Sequence, residues 1–300
     1  MAKEPFRDPC SPEKRIFIGC TVWIGSFRCP PHWDAFHVHS CFQGPNMITF
    51  PRTAVELHLL GRGTVIGSPN IAVFYNHGQE YFRQQLSPEG DFCEWFNFSP
   101  RLLREVVELY DPRAAEEWKR PFSHTHAPLS SRWHLLQRSL VDHILNAPFL
   151  DSFWVDEMAT VLLKGIISDS YEARGQTAKR QKRNTQHTHR ALTIEAQLFL
   201  QERFHQPLTL AQLAAALHSS PFHLARIFRQ QTGYTIHQYL ENLRLRTALE
   251  RLPAFRNDLT TLALDVGYKS HSHFTHAFHR AFGLPPSQMS YQTALNTLAQ

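Results

Sequence analysis

The chain has 300 residues, of which 42% are hydrophobic, and a formal net charge of +5. This length accommodates one large domain or two ordinary ones, and the composition is that of a soluble globular protein. The first residues have mixed charge, and the apolar stretch 16–27 is too short to span a bilayer, so we expect neither a secretory leader nor a membrane protein. Five cysteines without a Cys-x-x-Cys pair predict reduced thiols in a cytoplasmic protein.

The positive charge lies in the second half of the chain. Residues 1–173 carry a net charge of −4, residues 174–187 of +5 and residues 188–300 of +4. The back half therefore suits a polyanionic partner, whereas the front half does not.

Residues 15–98 have the pattern of a β-rich domain. Short runs rich in β-branched and aromatic residues alternate with clusters of Pro, Gly, Asn and Ser, which is typical of a β-sandwich or small barrel. The predicted strands are Arg15–Trp23, Met47–Phe50, Val55–Leu60, Ile71–Tyr75, Glu80–Gln85 and Phe92–Phe98.

The pattern changes to helical near Pro100 and stays helical to about residue 170. Apolar residues recur at helical spacing after Pro100, and two further helices are predicted at about 129–146 and 153–169. The last helix has an apolar stripe from Val155 to Ile166 that is suited either to the β domain or to a second copy of the chain. We therefore predict that residues 1–172 form an N-terminal sensing or dimerisation domain.

Residues 173–188 are basic and have almost no large apolar side chain, so they predict a flexible linker. The last part, residues 189–292, is predicted to be an all-α domain with two helix-turn-helix patterns. In the first pattern, Thr209 and Ser220 are expected to cap two helices and Gly233 to end the second. One helix over 236–252 then separates the two patterns.

The second pattern repeats the first about fifty residues later. Gly267 is expected to supply the turn and Ser270 to cap the second helix, in which Phe274, Phe278 and Phe282 recur every four residues as a buried stripe. Such a helix pair is the unit that places one helix in a DNA major groove, and two in tandem are much more specific than one.

These residues carry a resemblance to a known family. The stretch from about Ala191 to Tyr291 resembles the DNA-binding domain of the AraC/XylS family of bacterial transcriptional regulators. The resemblance rests on the spacing of Ala263, Gly267-Tyr268, Ser270, Phe274, Phe278, Phe282-Gly283 and Pro286. It implies two reading helices that enter adjacent major-groove faces on one side of the duplex, about one helical turn apart.

Carried over by position, the resemblance implies a set of base contacts on the two reading helices. In the first helix these are Phe222, Ala225 and Arg226, and Arg229 on the same outward face completes the DNA-binding set. In the second helix they are His271, Ser272, His273, Thr275 and His276. Each of these residues also has an ordinary interpretation, such as a surface arginine or, for Phe222, an N-terminal staple.

One position departs from the family pattern. Family members often have Arg or Lys near the position of His276. A histidine there predicts weaker phosphate contact at neutral pH and an affinity that rises on acidification.

The order of elements in the front domain also resembles the family, in which a cupin-like barrel binds a small effector or a partner protomer. The fold class is therefore α+β, with a cupin-like β-sandwich or barrel, flanking helices and an all-α C-terminal domain. Cys29, His37, His39 and Cys41 are candidate zinc ligands by residue type, although their spacing matches no common zinc module. Ordinary loop or core positions are the alternative.

The leading hypothesis is a cytoplasmic, sequence-specific transcription regulator without catalytic residues or an identified cofactor. Its expected partner is double-stranded DNA, and RNA polymerase, a small-molecule effector and a second copy of the chain are candidate partners. The alternative is a cupin-type metalloenzyme fused to a DNA module, for which residues 1–98 lack a clean His-x-His motif with a following carboxylate. A repair regulator that transfers alkyl groups would need a four-cysteine zinc site that the cysteine spacing does not provide.

Overall fold

The computed structural model describes residues 13–31, 40–41, 46–175 and 183–298. These divide into two compact units. The first consists of the described residues up to Ser68 together with Val73–Thr125, and the second of Pro69–Ala72 together with the described residues from His126 onward. The predicted functional division between residues 172 and 173 stays a prediction, because it concerns function rather than compactness.

The first part of the chain forms antiparallel sheets. Its strands are β1 (Glu13–Ile18), β2 (Val22–Cys29), β3 (Ser40–Cys41), β4 (Met47–Pro51), β5 (Val55–Leu59), β6 (Gly63–Gly67), β7 (Ile71–Tyr75), β8 (Glu80–Gln85) and β9 (Asp91–Phe98). One sheet contains β1-β2-β9-β4-β7 in that order, and the other is β3-β8-β5-β6. In β5, Val55, Leu57 and Leu59 are buried while the residues between them are half-buried, as expected for a strand with one face on the core. The predicted fold class is confirmed.

Two strand predictions differ from the structure. Arg15–Trp23 was predicted as one strand but is divided between β1 and β2 by a turn, in which the Gly19 N–H donates to the Val22 carbonyl at 2.9 Å. The turn lies inside a continuous apolar run, so hydrophobicity alone did not reveal it. The short strand β6 was missed because glycines bracket it, and glycine is depleted in strands.

Two short helices complete the first unit, and the second unit is almost entirely helical. The first unit contains α1 (Pro100–Glu108) and α2 (Pro112–Glu116). The second contains the strand β10 (His126–Pro128) and helices α3 (Ser131–Asn146), α4 (Ser152–Gly175), α5 (Arg183–Arg203), α6 (Leu210–Ala216), α7 (Pro221–Thr232), α8 (Ile236–Arg251), α9 (Leu259–Asp265), α10 (His271–Phe282) and α11 (Tyr291–Leu298).

The linker predicted at 173–188 is partly helical. Helix α4 continues to Gly175 and α5 already begins at Arg183, which leaves residues 176–182 outside the described residues. Glu, Ala, Arg, Gln and Lys are good helix formers, so a sequence that cannot form a core can still extend a helix.

Helices α3 and α4 belong to the same compact unit as the C-terminal helices. The apolar stripe of α4 is buried within the chain, where α4 packs against α3 and β10. The two helices approach closely at Gly165, since a Cβ there would lie 2.1 Å from the Trp133 ring.

Two apolar clusters organise the helices after α4. One joins α5, α6, α7 and the first half of α8 around Phe228 and Tyr239. The other joins the second half of α8 with α9, α10 and α11 around Phe274 and Phe278, and includes Leu135 of α3. Helix α8 therefore belongs to both clusters and connects them as one continuous helix.

Candidate nucleic-acid interface

The first helix-turn-helix is α6 followed by α7, and each end has a side-chain cap or a left-handed residue. Thr209 and Gln212 form a reciprocal capping box at the start of α6. The Ser220 hydroxyl accepts from the His223 N–H at 3.2 Å to begin α7, with Pro221 as the first helical residue. Gly233 ends α7 with a left-handed φ of 77°. The caps predicted at Thr209, Ser220 and Gly233 are confirmed.

The second helix-turn-helix, α9 followed by α10, repeats this construction. Asp258 caps α9 and Ser270 caps α10 through the His273 N–H at 3.2 Å. Gly283 ends α10 with a φ of 79°, as Gly233 ends α7. Gly267 has a φ of 89° in the turn between the helices. The predicted roles of Gly267 and Ser270 are therefore confirmed.

The equivalent turn of the first helix-turn-helix contains a histidine. His218 has a φ of 49° and its N–H donates to the Ala215 carbonyl, as the Gly267 N–H donates to that of Leu264. Among the described residues, His218 is the one non-glycine residue with positive φ. The two turns therefore share a backbone geometry. In the first turn this left-handed conformation is strained, because His218 has a side chain and glycine would adopt the conformation without strain.

The two reading helices, α7 and α10, have the same exposure pattern at positions fifty residues apart. Leu224, Ile227 and Phe228 are buried in α7, as are Phe274, Ala277 and Phe278 in α10. The predicted DNA-contacting residues all lie off these stripes. Phe222, Arg226, Arg229, His271, Ser272, His273 and His276 are exposed, and Ala225 and Thr275 are half-buried. Their contacts with DNA stay predictions.

The two reading helices differ in charge. Arg226 and Arg229 of α7 have no ion-pair partner among the described residues. The equivalent positions of α10 are His276 and His279. One helix thus has two permanent cations where the other has two histidines.

A histidine of α5 lies beside the charged face of α7. The rings of His189 and His223 are 5.6 Å apart. Burial lowers the pKa of His189, and the charges of His223 and Arg226 lower it further. This side of α7 therefore favours a neutral His189, and its positive charge comes from the two arginines.

The spacer helix α8 is fixed by a buried arginine that sequence reasoning did not single out. Arg246 donates to the carbonyls of Pro69 and Leu129 and, at 2.8 Å, to Oδ1 of Asn70. Burial lowers the pKa of this guanidinium. Helical spacing from Leu243 puts Arg246 on the buried face of α8, and that was the available signal.

A groove of about 750 Å³ runs along α7. Its lining combines α7 side chains with Asp169, Glu172 and Ala173 at the end of α4. The remaining lining residues are Pro128, Gly233, Thr235 and Ile236. Nothing in the sequence pattern links Asp169 or Glu172 to α7, because some fifty residues separate them.

Most of the candidate zinc ligands lie outside the described residues, so the zinc hypothesis stays a prediction. Cys29 is buried in β2, and burial raises the pKa of its thiol, with the charge of Asp91 raising it further. His37 and His39 lie outside the described residues, as does the side chain of Cys41. Within residues 13–31, 40–41, 46–175 and 183–298, no group of three potential ligands surrounds a metal position. No helix in these ranges is long and apolar enough to cross a membrane.

Comparisons with known proteins agree with the geometry of the C-terminal helices. A family model described as a helix-turn-helix domain matches residues 213–292. The chain is 30% identical over 100 residues to YfiF of Bacillus subtilis, an uncharacterized HTH-type transcriptional regulator, which covers 33% of this chain and 32% of YfiF. The chain thus spans about a third of that relative's length.

Two further similarities were found. The multiple antibiotic resistance protein MarA of Escherichia coli is 27% identical over 106 residues, covering 35% of this chain and 80% of MarA. The crystal structure of ToxT from Vibrio cholerae O395 aligns with 92% of this chain and 98% of ToxT, at 11% identity and a TM-score of 0.36.

Proposed function

We propose that the chain is a helix-turn-helix transcription regulator of the AraC/XylS type, which binds double-stranded DNA by placing α7 and α10 in adjacent major grooves. The observation that carries this proposal is the repeated exposure pattern of the two helices, which are connected through α8. Two equivalent outward faces on one spacer are suited to two half-sites about one helical turn apart.

Each reading helix offers different chemistry to a base pair. Arg226 can donate two parallel hydrogen bonds to a guanine, and Thr275 can offer a methyl group or a hydroxyl to a base edge. Arg229, one turn further along α7, is positioned for a phosphate. His276 provides less charge than an arginine would at neutral pH, so α7 contributes more of the electrostatic affinity than α10.

The β-rich first unit is proposed to regulate this binding in the cytoplasm through a small effector or a second copy of the chain. Its interior contains a buried charged pair, Arg83 and Asp91, and the ring of Phe27 lies 3.9 Å from the Arg83 guanidinium. The ion pair with Asp91 compensates the burial of the Arg83 charge. RNA polymerase is a candidate partner. The chain acts by binding and needs no catalytic residue.

The test is selection of bound DNA from fragmented genomic DNA, with the full chain at physiological salt. We expect enrichment of sites with two half-motifs about ten base pairs apart. Arg226→Ala should then weaken binding to a selected site by about 1–3 kcal/mol and relax the preference at one base pair. Arg104→Ala in α1 removes an exposed arginine from the other unit and should leave affinity and preference unchanged.

Two results would contradict the proposal. One is an Arg226→Ala variant that retains both affinity and sequence preference. The other is a fragment of residues 188–300 that folds but shows no salt-dependent DNA binding, since that fragment includes both reading helices.

A further inference from the structure

The end of α4 lies on the side of α7 that the proposed function assigns to DNA. Phe222, Ala225, Arg226 and Arg229 all line the 750 Å³ groove, and these are the α7 residues predicted to contact DNA. The same groove is lined by two acidic residues of α4, Asp169 and Glu172, about one helical turn apart. The reading face of α7 thus shares a groove with carboxylates of the same chain.

A duplex that takes α7 into its major groove must surround the outward face of this helix. Four residues of that face, Phe222, Ala225, Arg226 and Arg229, share the groove with Asp169, Glu172 and Ala173 of α4. DNA and the end of α4 would therefore need the same space beside α7.

The groove is lined by side chains of opposite charge, namely carboxylates of α4 and arginines of α7. Glu172 is exposed and accepts a hydrogen bond from Ser168 within its own helix at 3.3 Å, and it forms no ion pair in the described chain. Arg226 and Arg229 are also without ion-pair partners there. Asp169 is hydrogen-bonded to Ser130 and Trp133, so Glu172 is the carboxylate of this groove that can offer the arginines the same sign of charge as a phosphate. Neutralising Glu172 should favour the state in which α7 is open to DNA.

The position of α4 is fixed by α3, which is attached to the second helix-turn-helix. The Arg138 Nε of α3 donates to Glu250 of α8 at 2.6 Å, and Leu135 is buried in the cluster around Phe274. The close approach of Gly165 to Trp133 then ties α4 to α3. Helix α3 contacts the buried side of α10, where Leu135 packs in the cluster around Phe274. This contact leaves the exposed face of α10 uncovered.

We propose that the acidic C-terminal end of α4 competes with DNA for α7 within the chain, so that it lowers DNA affinity until it is displaced. This inference rests on the proposed function, because it assumes that α7 reads DNA. Under this proposal Glu172, which lies outside both helix-turn-helix patterns, regulates the DNA affinity of the chain.

The experiment measures affinity of the full chain for a two-half-site DNA obtained by selection. Glu172→Gln should raise the affinity at least about threefold at low salt, and the gain should shrink as salt screens the charges. Glu157→Gln is the matched control, because it removes one exposed carboxylate from the same helix without lining the groove. Both substitutions change the net charge equally, so a general electrostatic effect would raise both affinities alike.

Repeating the comparison in a variant without the two arginines tests whether Glu172 acts through them. In a variant with Arg226→Ala and Arg229→Ala, the gain from Glu172→Gln should disappear, measured on DNA at a salt concentration where this variant still binds. Equal gains for Glu172→Gln and Glu157→Gln, or a gain that persists without the two arginines, would overturn the inference. If the unaltered chain selects no specific DNA, the proposed function itself has failed, and that outcome is separate from either result.

Discussion

Gly267 offers a sharp test of the geometry that connects the two helix-turn-helix units. Its φ is 89°, and a Cβ added there would lie 2.8 Å from the His205 carbonyl oxygen and 3.0 Å from that of Phe204. The Phe204 carbonyl also accepts a hydrogen bond from the Arg244 Nε at 2.7 Å, which limits how far it can move. Gly267→Ala should therefore combine backbone strain with a steric clash.

The magnitude follows from comparison with Gly283, which has a φ of 79° and nothing within 4 Å of an added Cβ. Left-handed backbone costs an alanine about 1–2 kcal/mol, partly offset by about 0.4–1 kcal/mol from the reduced entropy of the unfolded chain. Gly283→Ala should thus lower the free energy of unfolding by about 1 kcal/mol. Overpacking adds about 1–3 kcal/mol, so Gly267→Ala should cost about 2–4 kcal/mol.

The assay is urea unfolding of the full chain followed by circular dichroism at 222 nm, because most of the described helical residues belong to the second unit. The midpoint for Gly267→Ala should lie clearly below that for Gly283→Ala. Equal losses for the two variants would refute the reasoning, since they would mean that the close approach at Gly267 contributes nothing.

Two further predictions concern histidines. His218→Gly places glycine at the left-handed position that Gly267 occupies in the second helix-turn-helix. It should raise the midpoint of the same urea transition by an amount equivalent to about 0.5–1 kcal/mol, whereas His218→Ala should not. Burial, and secondarily the charge of Arg190, lowers the pKa of His126 to about 4, so the folded state keeps this ring neutral while the unfolded state protonates near pH 6.5. The contribution of the neutral His126 ring to the free energy of unfolding is complete above pH 6.5, and up to about 3 kcal/mol is lost as the pH falls toward 4. Urea midpoints measured across this range should fall less steeply for His126→Gln than for the unaltered chain. An identical slope would contradict the lowered pKa.

Local signals explain why the C-terminal helices were predictable. Thr209, Ser220 and Ser270 cap helices through hydrogen bonds to residues three positions away, and Gly233 and Gly283 end helices through their own backbone freedom. Each of these interactions spans only a few residues, so the residue type and its position are enough to predict it. The outward faces of α7 and α10 followed for the same reason, because helical periodicity is also local.

The β-rich region was less completely predictable. β1 pairs with β2, and β6 pairs with β5, each with its neighbour in sequence. These pairings, rather than a change of composition, define where the strands begin and end. Strand Ile71–Tyr75 was predicted with its observed bounds because turn residues flank a compact apolar run. Where such flanking signals were absent, only the partners of a strand defined its ends.

The sequence by itself determined the class of the C-terminal domain, the caps of its two helix-turn-helix pairs and the residues of α7 and α10 that face outward, because caps, turns and helical periods are encoded within a few positions. Only the tertiary structure decided what lies beside those outward faces. The burial of Arg246 among carbonyls, the packing of α4 on α3 and the presence of Glu172 and Arg226 in one groove each bring together residues far apart in the chain. Such contacts depend on how the helices pack against one another, and neither spacing nor composition specifies that packing.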